Sequence, residues 1–412
     1  MSASFRAQPT PKPTVLVLAS TYPRWINDHE PGFVHELSRR LIDRFHVIAV
    51  VPDAPDADES GDLDGVHIVR YRYAPRRLQT LVNDGGIATN LRRSPWKWLL
   101  VPGFVFMQLI AARRIARAQQ IDAVHAHWLI SPGVVASWLV GADKVLPCVV
   151  TSHGGDLFGF RGNMFVRIKR WVASRAAAMS VVSSAMRDEA MRIALPVERI
   201  EVIPMGVDLT SRFVPDPSVP RALRELLFVG RLVAKKGLRY LMAAMPAILE
   251  RYPETVLRVI GFGPEREALE QQVADLGIAA SVVFEGAMEQ RHLPDAYRRA
   301  SVFVAPFVRD ASGDQEGLPV ALMEAVGTGC PFVVGDVAGL SDLLGGTADS
   351  FRVDATSPPA IAAAVMRCLD DPGLAGAVAS QVREQVRAHL DWDAIARRYA
   401  DLLTDVMEKR TP

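Results

Sequence analysis

Two glutamates, Glu316 and Glu324, surround a predicted helix start in the segment DQEGLPVALMEA at positions 314–325. The helix is predicted to begin at Pro319, since proline suits the first helical position. Free N–H groups and the positive end of the helix dipole favour a phosphate there. Glu324 can accept two hydrogen bonds from a diol such as a ribose, and Glu316 lies where a second polyol could be held. The predicted ligand is a nucleotide diphosphate sugar, although an ordinary amphipathic helix also fits the pattern. The residues predicted to bind it here are Gly317, Leu318, Pro319, Val320 and Glu324.

Two cations follow a predicted strand in the second half of the chain. The apolar run 226–229 precedes the loop GRLVAKKG, which contains Arg231 and Lys236. Open α/β sheets bind their ligands at the carboxyl ends of strands, and a guanidinium with an ammonium suits a diphosphate. Each cation alone would more often be a solvated surface residue.

Together these segments resemble the retaining, nucleotide-sugar-dependent glycosyltransferases of family 4, which have two Rossmann-like domains in the GT-B arrangement. The family's glutamate pair, separated by seven residues, corresponds to Glu316 and Glu324. Its Gly-Arg…Lys-Gly loop corresponds to 230–237, and its His-Gly-x-Asp motif to 153–156. The three motifs occur in the family's order, and the resemblance covers nearly the whole chain.

The resemblance implies a role for each candidate residue. The implied catalytic residues are His153, Arg231, Lys236 and Glu316. His153 would face the transferred sugar and bind its 6-hydroxyl, while Asp156 would orient its loop or contact the acceptor. Gly32, at a helix start, could offer its N–H to the donor phosphate, although Pro31 replaces the second glycine of the commoner loop. Gly263 lies in a Gly-Phe-Gly-Pro turn that would face the donor or serve only as a turn.

The expected fold class is α/β, with two Rossmann-like domains whose parallel sheets face each other across a cleft. A length of 412 residues suits two domains, and strands alternate with helices along both halves. We expect an acceptor-side domain at 1–212, a nucleotide-sugar-binding domain at 213–390, and a helix at 391–412 that crosses back to the first domain. The stretch 53–64 is predicted to be a loop, and His125 and His127 are predicted to point to opposite faces of a strand.

Composition excludes some classes of protein. The net charge of +1 argues against a nucleic-acid-binding protein. The three cysteines lie far apart and are expected to be reduced core residues of an intracellular protein. No run of 18 apolar residues is present, so no membrane-spanning helix is expected.

The segment 76–120 combines apolar and basic residues, with eight Arg or Lys and one Asp. It fits either a helix buried on the first sheet or a surface that contacts an anionic membrane. The expected location is the cytoplasm, at the inner face of the membrane in the second case.

The function expected is transfer of a hexose-type sugar from a UDP- or GDP-sugar to a glycan or lipid-linked acceptor, with retention at the anomeric carbon. A cell-envelope or exopolysaccharide precursor is the acceptor that family analogy suggests. No metal or other cofactor is expected, because Arg231 and Lys236 can balance the diphosphate. Alternatives are a nucleotide-sugar 2-epimerase and a binding protein without transfer activity. An oxidoreductase is disfavoured, because Arg266 occupies the third glycine position of the dinucleotide fingerprint.

Overall fold

The computed structural model describes residues 12–26, 28, 32–55, 57–58, 60–82, 86–141, 146–311, 313–337, 340–344 and 349–409. Within these ranges the strands form two sheets, one in each half of the chain. The predicted fold class, two α/β domains built on parallel sheets, is confirmed.

The first sheet has the strand order β3-β4-β2-β1-β5-β6-β7-β8 and is parallel except for β3. Its strands are β1 (Thr14–Leu18), β2 (His46–Pro52), β3 (Ser60–Leu63), β4 (Val66–Tyr71), β5 (Ala123–His127), β6 (Cys148–Ser152), β7 (Ala178–Val181) and β8 (Ile200–Val202). β3 lies in the stretch predicted to be a loop, so that prediction was wrong. Asp64 and Gly65, both with positive φ, form the tight turn that pairs β3 with β4.

The second sheet has the order β11-β10-β9-β12-β13-β14 and is parallel throughout. Its strands are β9 (Glu225–Val229), β10 (Val256–Ile260), β11 (Val282–Gly286), β12 (Val302–Ala305), β13 (Phe332–Gly335) and β14 (Arg352–Val353). The central strands β5, β9 and β12 are buried along their whole length, and β1 is buried except at Thr14, as expected for parallel strands covered by helices.

Helices connect the strands and cover the faces of both sheets. In the first half they are α1 (Phe33–Leu41), α2 (Ile87–Arg93), α3 (Val101–Ala118), α4 (Pro132–Val140), α5 (Gly155–Phe158), α6 (Asn163–Arg175) and α7 (Ser184–Arg192). In the second half they are α8 (Leu238–Arg251), α9 (Arg266–Asp275), α10 (Leu293–Arg299), α11 (Val320–Gly327), α12 (Ser341–Leu344), α13 (Pro358–Asp370), α14 (Pro372–Leu390) and α15 (Trp392–Glu408).

α3 lies within the apolar and basic segment 76–120. α3 packs on β2 and β4, and Phe104, Gln108 and Leu109 are among its buried residues. Phe106 and the arginines of α3 are exposed. The stretch Pro95–Ala118 is long and apolar enough to cross a membrane by length and composition alone, contrary to the expectation from apolar runs. The buried residues of α3 are Phe104, Gln108, Leu109 and Ala112, so one face of the helix packs on the first domain and the rest of it is more exposed.

α15 returns to the first domain and packs on α1, β5 and β6. Ion pairs fix its outer side, with Arg44 2.6 Å from Asp401 and Arg199 3.0 Å from Asp405. At its start, a side chain added at Gly206 would lie 2.5 Å from the Trp392 ring. The chain passes between the domains at Gly206 and again at the start of α15, and these two segments are in close contact. Only glycine fits at position 206.

Candidate functional site

A cleft of about 1750 Å³ lies between the two domains. Its first-domain wall is formed where the loops after β1, β5 and β6 leave the sheet, on either side of the point where the strand order reverses. Nine predicted site residues line it: Gly32, His153, Asp156, Arg231, Lys236, Glu316, Leu318, Val320 and Glu324. The tertiary structure therefore brings together residues nearly 300 positions apart in the chain.

The other three predicted residues, Gly263, Gly317 and Pro319, belong to the described chain but do not line the cleft. A Cβ at Gly263 would lie 2.5 Å from the carbonyl oxygen of Leu232, so the glycine lets two loops meet. Pro319 is the residue before α11, which begins at Val320, one position later than the proline start that the sequence indicated. Pro31, which replaces the second glycine of the commoner loop, lies outside the described residues.

A cluster of buried charges occupies the second-domain side of the cleft. Lys236 lies 3.4 Å from Glu316, and Lys235 lies 3.5 Å from Glu316 and 3.4 Å from Asp314. Burial would raise the pKa of Glu316, but Lys236, Lys235 and Arg231 outweigh it and lower that pKa to about 2. Sequence reasoning missed Lys235 and Asp314, although the paired lysines were a visible signal. The cluster keeps Glu316 ionised at neutral pH.

Arg231 reaches across the cleft toward the first domain. A Cβ added at Gly86, which precedes α2, would lie 3.1 Å from Nη1 of Arg231. Val320 and Ala321, the first two residues of α11, also line the cleft. A guanidinium, a lysine pair and a helix start therefore converge on one region, the combination that binds a diphosphate.

Glu324 lies deeper in the same wall and has the opposite electrostatic environment. Its Oε2 accepts a 2.8 Å hydrogen bond from the hydroxyl of Tyr297, a residue that the sequence did not identify. Burial raises the pKa of Glu324 to about 7, and Tyr297, Arg212 and Lys236 oppose that rise only in part. Near neutral pH this carboxyl group is therefore divided between its charged and neutral forms.

The first-domain wall contains a buried row of three histidines. Nδ1 of His127 and Nε2 of His153 share a 2.9 Å hydrogen bond, and their rings stack. The rings of His125 and His127 are 4.2 Å apart, so the prediction that they point to opposite faces was wrong. Side chains two positions apart on a strand share a face.

The histidine row continues to the C-terminal helix. His125 Nε2 bonds to Thr151 Oγ1 at 2.8 Å, Thr151 bonds to Ser180 at 2.7 Å, and Ser180 lies 3.3 Å from the hydroxyl of Tyr399 on α15. Burial lowers the pKa of both His125 and His153 to about 3, so both rings are neutral at pH 7. His153 Nδ1 has no partner among the described residues, which leaves that atom for a ligand.

Asp156 holds the loop that carries His153. Its Oδ1 accepts hydrogen bonds from Ser152 Oγ and from the backbone N–H of His153, and its Oδ2 accepts from the N–H of Leu129. Because both oxygens are used in this way, the loop after β6 is tied to the loop after β5. Of the two roles expected for Asp156, this geometry matches orientation of the loop.

The two domains also touch beside the cleft. Gly154 and Gly317 face each other so closely that a Cβ on Gly154 would lie 3.1 Å from Gly317. Asp342 accepts hydrogen bonds from both the N–H and the hydroxyl of Ser184, each at 2.6 Å, and so supports the start of α7 from the other domain. The two lobes therefore contact each other along one edge of the shared cleft.

Comparisons with known proteins agree with this architecture. A family model described as "Glycosyltransferase Family 4" matches residues 33–211, and one described as "Glycosyl transferases group 1" matches residues 224–371. The chain is 32% identical over 275 residues to a GDP-mannose-dependent alpha-(1-6)-phosphatidylinositol monomannoside mannosyltransferase of Mycobacterium tuberculosis, covering 64% of this chain and 70% of that protein. It is 24% identical to the glycogen synthase of the same organism, over 94% of both chains.

Solved structures show the same fold. Sucrose-phosphate synthase from Thermosynechococcus elongatus superimposes with a TM-score of 0.78 at 20% identity, covering 97% of this chain and all of that one. Anabaena Alr3699/HepE in complex with UDP and glucose superimposes with a TM-score of 0.71 at 17% identity, covering 95% and 99% of the two chains.

Proposed function

The chain belongs to the group 1, or family 4, glycosyltransferases, and we propose that it moves a hexose-type sugar from a UDP- or GDP-sugar to a glycan or lipid-linked acceptor with retention at the anomeric carbon. The observation that carries this proposal is the convergence of Arg231, the Lys235–Lys236 pair and the start of α11 on one side of the cleft.

These groups suit the departure of a nucleoside diphosphate. When the glycosidic bond breaks, its electron pair moves to the diphosphate oxygen while positive charge develops on the sugar. Arg231, Lys236 and the N–H groups of α11 would stabilise the growing negative charge, and a preorganised site does so without rearrangement. Glu316, ionised between two lysines, would hold the transferred sugar, and Glu324 would hold the ribose.

The opposite wall supplies the remaining contact with the sugar. His153 faces the cleft as a neutral ring with Nδ1 unpartnered, so it can share a hydrogen bond with a sugar hydroxyl. Because one set of groups lies on each domain, a productive complex requires both lobes. Closure of the cleft would also exclude the water that otherwise hydrolyses an activated sugar.

For the acceptor, we propose a precursor of a cell-envelope glycan or exopolysaccharide, handled in the cytoplasm at the inner face of the membrane. One support is the mycobacterial relative, which is named as a phosphatidylinositol monomannoside mannosyltransferase. A second is the exposure of Trp96 and Leu99, which do not line the cleft, near the basic residue Arg93, a mixture that favours an anionic lipid surface.

The test is incubation with a panel of UDP-, GDP- and ADP-sugars, measuring affinity and the release of nucleoside diphosphate. We expect one base and one sugar to be preferred, and NMR of the product to show the anomeric configuration of the donor. Inverted product would reject the retaining mechanism. Conversion of the donor to its 2-epimer without an acceptor would indicate the epimerase alternative, and binding without turnover would reject transfer.

A further inference from the structure

Three helices of the first domain line an apolar extension of the cleft, which we name the helix groove. Each helix contributes side chains spaced three or four residues apart, and such residues share one helical face. The groove is defined by Val101 and Val105 of α3, Val134 and Trp138 of α4, and Phe165 and Ile168 of α6. It is continuous with the cavity that contains His153, so a molecule that lies in it reaches the reaction site.

Large apolar side chains are exposed along this groove. Phe106 and Met164 are 60% and 62% exposed, and Trp98 and Trp138 are both 46% exposed. All four line the same cavity although they come from different elements. Soluble proteins rarely gather exposed apolar groups in this way unless something apolar covers them.

A buried polar group lies where the groove meets the start of α4. Ser131, the residue before α4, is 7% exposed and lines the cavity, and its buried Oγ has no hydrogen-bond partner among the residues that the structure describes. Its φ of 72° lies in the left-handed region, where a residue other than glycine is strained. α4 starts at this point, so the positive end of its dipole lies beside the hydroxyl. The site suits a ligand oxygen that carries negative charge.

A basic residue adds to the match with an anionic ligand. Arg93 of α2 is exposed and lines the same cavity, whereas its neighbour Arg92 lies 3.6 Å from Asp310 and 3.8 Å from Asp314. A molecule that fits has an apolar chain along the groove, an anionic group at Ser131, and a hydroxyl that reaches the donor sugar. A free oligosaccharide lacks the apolar chain that this distribution of polarity requires.

We propose that the helix groove binds the alkyl or prenyl chain of the acceptor, and that Ser131 binds its anionic head group. This inference rests on the proposed function, because only a glycosyltransferase has an acceptor. The binding of an apolar chain in the groove does not itself require sugar transfer. The occupant is the chain of the substrate molecule and not a bilayer surface.

The probes are n-alkyl phosphates from butyl to decyl, each used below its micellar concentration, with affinity measured by calorimetry. Each added methylene that enters the groove should strengthen binding about fourfold, since burying one CH₂ is worth about 0.8 kcal/mol. Trp138→Ala and Phe106→Ala should weaken decyl phosphate about tenfold or more and butyl phosphate less than about twofold, because only the long chain reaches them. Ser131→Ala should weaken every member of the series by a similar factor.

The matched control is Leu374→Ala on α14, a 57% exposed leucine that does not line the cavity. Affinity that does not depend on chain length, or equal losses in Trp138→Ala and Leu374→Ala, would overturn the inference. Binding to anionic vesicles with no binding of monomeric decyl phosphate would show a membrane surface instead, and would also reject it. A protein that binds decyl phosphate but no nucleotide sugar would reject the proposed function and leave the groove in place.

Discussion

The pKa of Glu324 provides the sharpest test of the nucleotide site. If the carboxylate accepts hydrogen bonds from the ribose, only the ionised form binds well, and a pKa of about 7 makes affinity depend on pH. About a tenth of the molecules carry the ionised form at about pH 6 and about nine tenths at about pH 8, so affinity should rise about tenfold. Glu324→Gln should abolish this dependence.

The same burial predicts a cost to stability. Glu324 has a folded pKa above that of an unfolded glutamate, so the folded state holds the proton more tightly. Its contribution to stability is complete below about pH 4 and is lost as the pH rises through about 7. The shift from 4.5 to about 7 corresponds to on the order of 3 kcal/mol. Glu324→Gln should therefore stabilise the protein at about pH 8 and have little effect at about pH 5.

The assay is calorimetry with an intact nucleotide sugar, because its doubly esterified diphosphate does not titrate in this range as a free diphosphate does. Urea unfolding at both pH values gives the stability. Tyr297→Phe is the matched variant: losing its hydrogen bond should raise the pKa of Glu324 further and move the affinity profile to higher pH. A wild-type affinity that is flat between the two pH values, or a pH-dependent Glu324→Gln, would refute the assignment of Glu324 to the ribose.

Four other changes follow from the cleft. Lys236→Ala should weaken nucleotide binding and raise the activation free energy of transfer by on the order of 2–4 kcal/mol. Unchanged kinetics, or an equal loss in the exposed Arg113→Ala, would contradict the role of Lys236 in diphosphate binding. Glu316→Gln should lower kcat more than nucleotide affinity, and equal losses in calorimetry and turnover would contradict its sugar role. His127→Asn should lower kcat with KM nearly unchanged, because its bond to His153 positions that ring; a change in KM alone would argue otherwise. Asp342→Ala removes two hydrogen bonds to Ser184, so small-angle scattering should show a larger radius of gyration, whereas an unchanged radius would show that other contacts hold the lobes.

Local patterns in the chain were enough for most of the scaffold. The apolar pattern predicts helices at Phe33–Leu41, Pro132–Val140, Leu238–Arg251 and Leu293–Arg299 and strands at Glu225–Val229 and Val256–Ile260. The structure has each of these elements with the same bounds. An apolar run, a proline at a helix start and a glycine at a helix end each lie within or next to the element that they specify. Residues close in the chain are therefore enough to predict such an element. The long helix Pro372–Leu390 was missed, because its small and polar residues show weak apolar periodicity.

The sequence by itself also determined which chemical groups the site contains. Glu316, Glu324, Arg231 and Lys236 were identified from residue types and spacing, and His153 from the resemblance to family 4; the structure places all of them on one cleft. Their assignment to a sugar, a ribose and a diphosphate stays a prediction that the experiments above test.

Only the tertiary structure decided the electrostatic state of those groups and their neighbours. Glu316 and Glu324 are the same residue type eight positions apart, yet the pKa of one falls to about 2 and that of the other rises to about 7. Glu316 lies beside two lysines from the loop after β9. Glu324 is buried and accepts a hydrogen bond from Tyr297. Partners so distant in the chain leave no mark on local periodicity, because a pKa depends on the charges and the burial that folding brings within a few ångströms.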